Sequence, residues 1–318
     1  MRLAMIGVGN IAQKAYFPLL RTMADVELES VMSRSRQSVE KAQARWSVPK
    51  GFTTLNELID SRPDACLVLA ATSAHYQIGA ELLNNGLDVY LEKPATVFST
   101  EAKLLAELAK EKNRILMVGY NRRFADFFVQ AKSYYTVAEI EQITIIKSRR
   151  NEPSASLFTQ YLDDTIHQID LLRYFDPDPT PLHTHTNFEG GKLQGAVSML
   201  RLSSGGLASI HTFLNSGAWQ ESALIQGSGK TVLVNAFREL TYTDGDGIKV
   251  FGPERSGMWK PRLVERGVYG EVQHFLDCVR TRQTPQTDGF EAYKTQLLAE
   301  QLTQLAGEPL DYIDPYIR

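Results

Sequence analysis

Three stretches of this chain carry residue types and spacings suited to chemistry. In Asp88-Val89-Tyr90-Leu91-Glu92-Lys93-Pro94-Ala95, an apolar run with β-forming Val89 and Tyr90 is halted by a charged pair and a proline, which has no N–H to continue a ladder. A lysine at the carboxyl end of a buried strand stands where open parallel sheets bind ligands; the plainer alternative is a surface lysine paired with its neighbour. In Gly7-Val8-Gly9-Asn10-Ile11-Ala12 the spacing is that of a dinucleotide fingerprint, with apolar Leu3-Ala4-Met5-Ile6 before it and a helical stretch after it that Pro18 must kink or restart. Gly7 permits a tight turn, Gly9 lets the backbone approach a pyrophosphate, and small Ala12 lets helix and strand pack closely beneath N–H groups that attract anions. In the third stretch, 163–170, Asp163 and His167 are four residues apart and share a face if the segment is helical, with Asp170 on nearly the same side. Its plain alternative is a surface helix with an acidic stripe.

These residues need a scaffold, and the pattern around them supplies one. Helical and strand-like segments alternate from the first strand through 38–46, 55–59, the apolar run 65–70, the helix 76–85 and a helix opened by Ser99-Thr100-Glu101, to the apolar run 114–118. That alternation predicts an α/β domain with a doubly wound parallel sheet. Ser33-Arg34-Ser35 follows the second strand, 26–32, where an acidic residue would meet a ribose 2′-hydroxyl. A hydroxyl and a guanidinium suit a 2′-phosphate instead, so NADP is expected ahead of NAD; the alternative is that Arg34 is a solvated loop charge. Thr72 and His75, after the run 65–70, are placed to line the cofactor cleft, although a histidine opening a helix is as often a capping or packing residue.

From about Asp126 the pattern changes to β-rich runs at 143–148, 182–188, 196–202, 207–214, 223–226, 231–234 and 239–243, with Ser203-Ser204-Gly205-Gly206 and Gly227-Ser228-Gly229-Lys230 as hairpin turns. One long helix interrupts them at 163–174, and helices close the chain. The expected organisation is a Rossmann domain over 1–122 and, over 123–318, an α+β domain with a large, mainly antiparallel open sheet.

Composition excludes little but asks for little. A formal charge of −3 gives no electrostatic reason to expect nucleic acid or an anionic membrane as partner. Two cysteines, one of them Cys66 inside an apolar run, suit a reducing cytoplasm, and the first strand begins too close to Met1 to leave room for a secretory leader. No run approaches a membrane span. Gly229-Lys230-Thr231 lacks the earlier glycine and the following helix of a P-loop, and His183 with His185 on one strand face lacks completing ligands, so neither an ATPase nor a metal site is expected.

The glycine fingerprint, Glu92-Lys93-Pro94 and Asp163-Asp164-Thr165-Ile166-His167-Gln168-Ile169-Asp170 together resemble the glucose-fructose oxidoreductase, inositol dehydrogenase and rhizopine-catabolism (Gfo/Idh/MocA) family. Gly9-Asn10-Ile11-Ala12-Gln13-Lys14-Ala15, Val118-Gly119-Tyr120-Asn121-Arg122-Arg123-Phe124 and Leu162-Asp163-Asp164 resemble its MviM-like branch. The resemblance implies a cytoplasmic NAD(P)-dependent oxidoreductase acting on a small polyol, sugar or sugar-derived alcohol, a homodimer formed through the C-terminal sheet, and a Lys93-Pro94 bond in cis. It implies Lys93, Asp163 and His167 as the catalytic set, with Gly7, Gly9, Asn10, Ile11, Ser33, Arg34, Ser35, Thr72, His75, Glu92, Lys93 and Asn121 expected around the cofactor. His167 would take the proton of a substrate hydroxyl while Lys93 stabilises the alkoxide. The rival reading is a dinucleotide-binding sensor without turnover, which would not need that set. Thr159-Gln160-Tyr161 and Thr165 stand where the family commonly has glycines, so a bulkier rim is expected. Arg149, Arg150 and Asn151 are either an anion-binding group for substrate or solvated charges at a strand end.

Overall fold

The structure, a computed structural model, describes residues 1–150, 154–252 and 261–313, so Asn151 lies outside the described residues. The chain forms two compact units: Met1–Gly119 with Glu271–Gln296, and Tyr120–Gly270 with Leu297–Ile313.

In the first unit, strands β1 (Arg2–Ile6), β2 (Glu27–Met32), β3 (Lys50–Phe52), β4 (Ala65–Val68), β5 (Asp88–Glu92) and β6 (Leu116–Gly119) form one sheet in the order β3-β2-β1-β4-β5-β6. Every pairing is parallel. The central strands are apolar throughout because helices cover both faces, and Leu3 to Ile6, Ala65 to Val68 and Val89 to Leu91 are buried. This is the doubly wound sheet expected from the alternation. After the glycine fingerprint the helix passes through a π-turn, Ala12–Tyr16, into Phe17–Leu20. Pro18 has no N–H to bond back to Lys14, and the longer Phe17 N–H to Ala12 carbonyl bond lets the helix continue through it.

The boundary differs from a single cut after residue 122. Residues 271–296 belong with the parallel sheet: Val118 N–H donates to the Thr287 carbonyl (2.9 Å), and Gln296 exchanges side-chain bonds with the Thr96 backbone (2.8 and 3.0 Å). Asp88 accepts from Ile115 N–H (2.8 Å) and from both terminal nitrogens of Arg282 (2.5 and 3.1 Å). Nothing local in an amphipathic helix states which sheet it will cover, so the return was invisible to pattern reading.

The second unit contains β7 (Gln142–Arg150), β8 (Thr180–Glu189), β9 (Lys192–Arg201), β10 (Leu207–Phe213), β11 (Asn215–Gly227), β12 (Lys230–Asn235), β13 (Glu239–Asp244) and β14 (Gly247–Phe251). Their order is β14-β13-β12-β11-β7-β10-β9-β8, antiparallel except where β7 meets β10. Both glycine-rich turns fall where hairpins were expected, and β14 is an addition signalled only by Gly245-Asp246-Gly247 and the alternating Ile248 and Val250. Helical residues 157–175 cover one sheet face, meeting Ser198 of β9 through Tyr161 (2.7 Å) and Thr212 of β10 through Thr165 (3.0 Å). No helix among the described residues is long and apolar enough to cross a membrane.

Replacing Asp88 with alanine leaves Ile115 N–H and the Arg282 guanidinium without their buried acceptor, and should cost about 2 kcal/mol. Thermal unfolding followed by circular dichroism checks this; an unchanged Tm would show that the clasp to residues 271–296 adds no net stability.

Candidate active site

The first unit carries the expected dinucleotide residues other than Asn121 at the carboxyl ends of β1, β2, β4 and β5, while Asn121 belongs to the second unit. Gly7 sits at φ +96°, and a Cβ there would lie 2.5 Å from the Leu69 carbonyl, so the turn admits glycine alone. Gly9 is the opposite case, since a Cβ there would meet no protein atom. Bare backbone facing open space at a helix start, beside exposed Asn10 and Ile11, is what a pyrophosphate requires, and the residues present therefore fit a dinucleotide. Ser35 caps the next helix by accepting from Ser38 N–H (3.3 Å), while Ser33 is half-buried and Arg34 exposed. Glu29 is occupied by Lys50 (2.6 Å) inside the sheet edge.

Thr72 is buried at the start of the helix Thr72–Asn84. His75 is also buried, with Nδ1 3.0 Å from the Pro94 carbonyl and Nε2 3.0 Å from the Ala70 carbonyl. Burial depresses its proton affinity, and a neutral imidazole has one N–H, so the ring donates to one of these two carbonyls at a time. The Lys93-Pro94 peptide is cis, as the resemblance implies. Glu92 accepts from Lys93 N–H and is hydrogen-bonded to Tyr16, whose hydroxyl lies 2.8 Å from that of Tyr90. Burial, reinforced by Glu92 and Glu271, holds both phenols neutral well past their ordinary range. They are dependable neutral hydrogen-bonding groups behind the Glu92-Lys93 turn.

In the second unit the helical run 157–175 is buried except at Asp163, His167 and Tyr174, each partly exposed. A surface helix would bare a continuous stripe, so the acidic-stripe alternative fails. Asp163 belongs to a π-turn, Tyr161–Thr165, and His167 to the α-helix Ile166–Phe175 that continues from it. Asp170, expected near the same side, is instead fully buried and held by Arg123 (2.7 and 2.9 Å). The expected bulky rim is likewise corrected: Thr159, Gln160, Tyr161 and Thr165 are all buried, with Thr159 bonded to the Asp311 carbonyl (3.1 Å) and to Ile313 N–H (2.8 Å).

Sequence reasoning missed the ionic lattice beneath. Asp164 Oδ1 meets Lys147 Nζ (2.5 Å) and Arg149 Nη2 (2.8 Å), and its Oδ2 accepts from Gln160 (3.2 Å). Arg149 is therefore engaged by a carboxylate of this chain. Glu221 stands opposite Lys147 in the ladder and takes a bidentate pair from Arg122 (2.8 and 2.9 Å). Asn121 uses its amide to bind Arg122 (2.9 Å) and the Arg266 carbonyl (2.7 Å). A signal was present, because Ile143, Ile145 and Lys147 alternate inward on β7, and Glu221, Ala223 and Ile225 on β11; each ends in a charge where the period demands an apolar residue. Burial pulls Lys147 down to about 8 despite Asp164 and Glu221. Among the described residues no group of three or more His, Cys, Asp or Glu side chains is arranged to hold a metal ion, and Cys66 and Cys278 are buried free thiols.

A parallel six-stranded sheet with this glycine turn is the frame of a dinucleotide-binding oxidoreductase, and the second unit presents Asp163 and His167 on its helical run. Residues 1–120 match the profile of the oxidoreductase family with an NAD-binding Rossmann fold. YceM of Salmonella typhimurium, described as an oxidoreductase, is 29% identical over 95% of this chain and 97% of its own. A dehydrogenase, MviM, from Clostridium difficile superposes with a TM-score of 0.88 at 28% identity, covering 96% of this chain and 99% of that one. Myo-inositol 2-dehydrogenase of Thermotoga maritima is 23% identical over 94% of both chains. Residues 1–120 thus carry the NAD-binding Rossmann fold of the Gfo/Idh/MocA oxidoreductases, and over nearly its whole length the chain resembles YceM and the MviM dehydrogenase.

Burial would raise the Glu221 carboxyl, but Arg122 and then Lys147 outweigh it and hold the group at about 2, below its ordinary 4.5. Its contribution to stability is complete above pH 4.5 and is lost as pH falls toward 2. Glu221→Gln should flatten the acid limb by about 3 kcal/mol over that window, read from urea denaturation at stepped pH. An acid limb parallel to that of the wild type would sink the assignment.

Proposed function

We propose that this protein transfers a hydride between a nicotinamide cofactor and a secondary alcohol or ketone of a polyol, sugar or sugar-derived molecule, with Lys93, Asp163 and His167 as its catalytic groups. The observation that carries this reading is the partial exposure of Asp163 and His167, one turn apart, on a helical run otherwise buried except at Tyr174. The inositol dehydrogenase relative supports the substrate class.

A bound nicotinamide would supply the hydride acceptor or donor. His167 takes the hydroxyl proton as the alcohol is oxidised and returns it on reduction. Asp163, one turn earlier, favours the imidazolium that forms. The ammonium of Lys93 stabilises the developing alkoxide, and Glu92, braced by Tyr16 and by Lys93 N–H, orients the turn that presents it. The cofactor residues are Gly7, Gly9, Asn10, Ile11, Ser33, Arg34 and Ser35 by contact, with His75 and Asn121 acting as braces through the bonds described above. Arg34, exposed and with no acidic residue at the strand end, supports NADP(H) ahead of NAD(H). The sensor reading gains no observation of its own.

A paired titration with NADPH and NADH, following nicotinamide fluorescence, tests the cofactor, and Lys93→Met tests the chemistry. Lys93→Met should retain cofactor affinity within a few-fold while turnover falls by at least about 100-fold. A fully active variant removes Lys93 from the mechanism, and binding of neither dinucleotide removes the function.

The same reading includes a homodimer through the second unit's sheet. The face away from the helices exposes Met199 (44%), Leu207 (51%) and Phe213 (43%), a concentration of apolar surface that water disfavours. Sedimentation velocity should give a dimer for the wild type and a monomer for Phe213→Asp; monomeric wild type overturns the assembly.

A further inference from the structure

The second unit contains two adjoining clefts that the proposed chemistry leaves unused. One, of about 470 Å³, is lined by Trp219, Glu221 and Arg238 among others, and the second, of about 320 Å³, shares Trp219 and Arg238 and adds Phe237, Arg262 and Arg266. Their floor is aromatic. The pairing of β11 with β7 is irregular between Asn215 and Gln220, where Trp219 lies, and Phe237 turns the chain between β12 and β13 at φ +61°, an unusual backbone for so bulky a residue. The two rings are nearly parallel at 13°, with centroids 6.3 Å apart, and the Arg266 guanidinium lies 5.8 Å from one and 5.2 Å from the other.

The charges in these clefts are not balanced in the same way as those beneath Asp163. Arg122 is neutralised by its bidentate bond to Glu221. Among the described residues, no carboxylate lies within ion-pair distance of Arg238, Arg262 or Arg266; burial, then Arg122 and Arg262, disfavour the charge of Arg266, and Glu221 and Glu265 offset this only in part. Glu239, bonded to Asn235 (2.8 Å), and Glu265 also line the clefts and leave the cations in excess. An aromatic floor with guanidinium groups over it suits a ligand with a C–H face and an anionic substituent. A neutral polyol would gain nothing from those exposed cations.

The clefts also connect to the proposed catalytic helix within this unit. Glu221, in the cleft wall, stands opposite Lys147, whose ammonium holds both the carboxylate and the carbonyl (3.0 Å) of Asp164, next to Asp163. The Arg266 carbonyl is fixed by Asn121, and Gly267 at φ +78° packs against that residue so tightly that a Cβ would stand 2.1 Å from its carbonyl.

We infer that the substrate is an acidic sugar derivative, its carboxylate or phosphate bound by Arg238, Arg262 and Arg266 and its carbon face lying on Trp219. This rests on the oxidoreductase reading for the reaction but not for the binding, so the two fail separately. Isothermal titration calorimetry of the full chain with D-glucuronate, D-glucose 6-phosphate, myo-inositol and inorganic phosphate tests the inference, with NADH titrated in the same preparation. One of the two acidic sugars should bind at least about tenfold more tightly than myo-inositol and than inorganic phosphate, and weaken with added salt. Which of the two binds better tells carboxylate from phosphate.

Arg266→Gln and Arg262→Gln should each weaken that binding about tenfold with NADH affinity unchanged. Arg238→Gln, on an exposed turn, serves where Arg266→Gln fails to fold. Equal binding of myo-inositol, equal binding of inorganic phosphate, indifference to the arginine variants, or binding of neither acidic sugar by a chain that binds NADH would each overturn the inference. Loss of NADH binding alone overturns the cofactor reading and leaves the calorimetry of the sugars intact.

Discussion

A carboxylate cannot be buried alone, and the second unit is arranged around that constraint at Asp164. Its side chain is 7% exposed and reaches two cations and an amide, while its carbonyl takes a further bond from Lys147. Removing one partner from such a buried pair typically costs about 3–5 kcal/mol, because the remaining charge loses water and gains nothing. The bonds tie the start of the helical run to β7, and Arg123 ties its middle, at Asp170, to the segment after β6. With the run fixed at both points, which side chains reach the surface is no longer a matter of local helix preference. Asp163 and His167 reach it as a result.

The helix register contributes to the same outcome. A π-turn widens one turn of the backbone, and the second one here spans Tyr161–Thr165, around both aspartates. In a regular α-helix neighbouring positions 163 and 164 point about 100° apart, and the wider turn rotates each relative to the helix beyond Thr165. Asp164 faces inward to its cations, and Asp163 stays partly open. The first π-turn, which follows the glycine fingerprint, has a different cause in Pro18 and only carries the helix past a residue without an N–H.

These details explain what was legible in the sequence. The parallel sheet, the fingerprint, the Glu92-Lys93-Pro94 turn and most strands of the second sheet follow from local periodicity and turn chemistry, which act over a few residues. The return of residues 271–296 to the parallel sheet is a long-range decision made by Asp88, Thr96 and Val118, and no local pattern encodes it. Asp170 was misplaced because its spacing of three from His167 and seven from Asp163 identifies a shared side without saying whether that side is wet or buried. Lys147 and Glu221 could have been found, since each breaks an apolar alternation, and a charge at an inward strand position demands a partner.

The departures from the family's glycines carry a different lesson once their surroundings are known. Tyr161 extends to Ser198, Thr165 to Thr212, and Thr159 to the chain near Asp311, so all three are consumed in fastening the run to the sheet and to the C-terminal segment. Residues spent on packing cannot select a substrate by crowding it. Discrimination has to come from side chains that remain accessible, and in this unit those include Asp163, His167 and the residues around Trp219 and Arg266. In the proposed chemistry Asp163 and His167 would address a hydroxyl common to every sugar and polyol, so they would not tell one from another. The aromatic and guanidinium groups of Trp219, near the start of β11, of Phe237, between β12 and β13, and of Arg266 differ in chemistry from the proposed catalytic pair, and that difference is where substrate choice in this protein has room to reside.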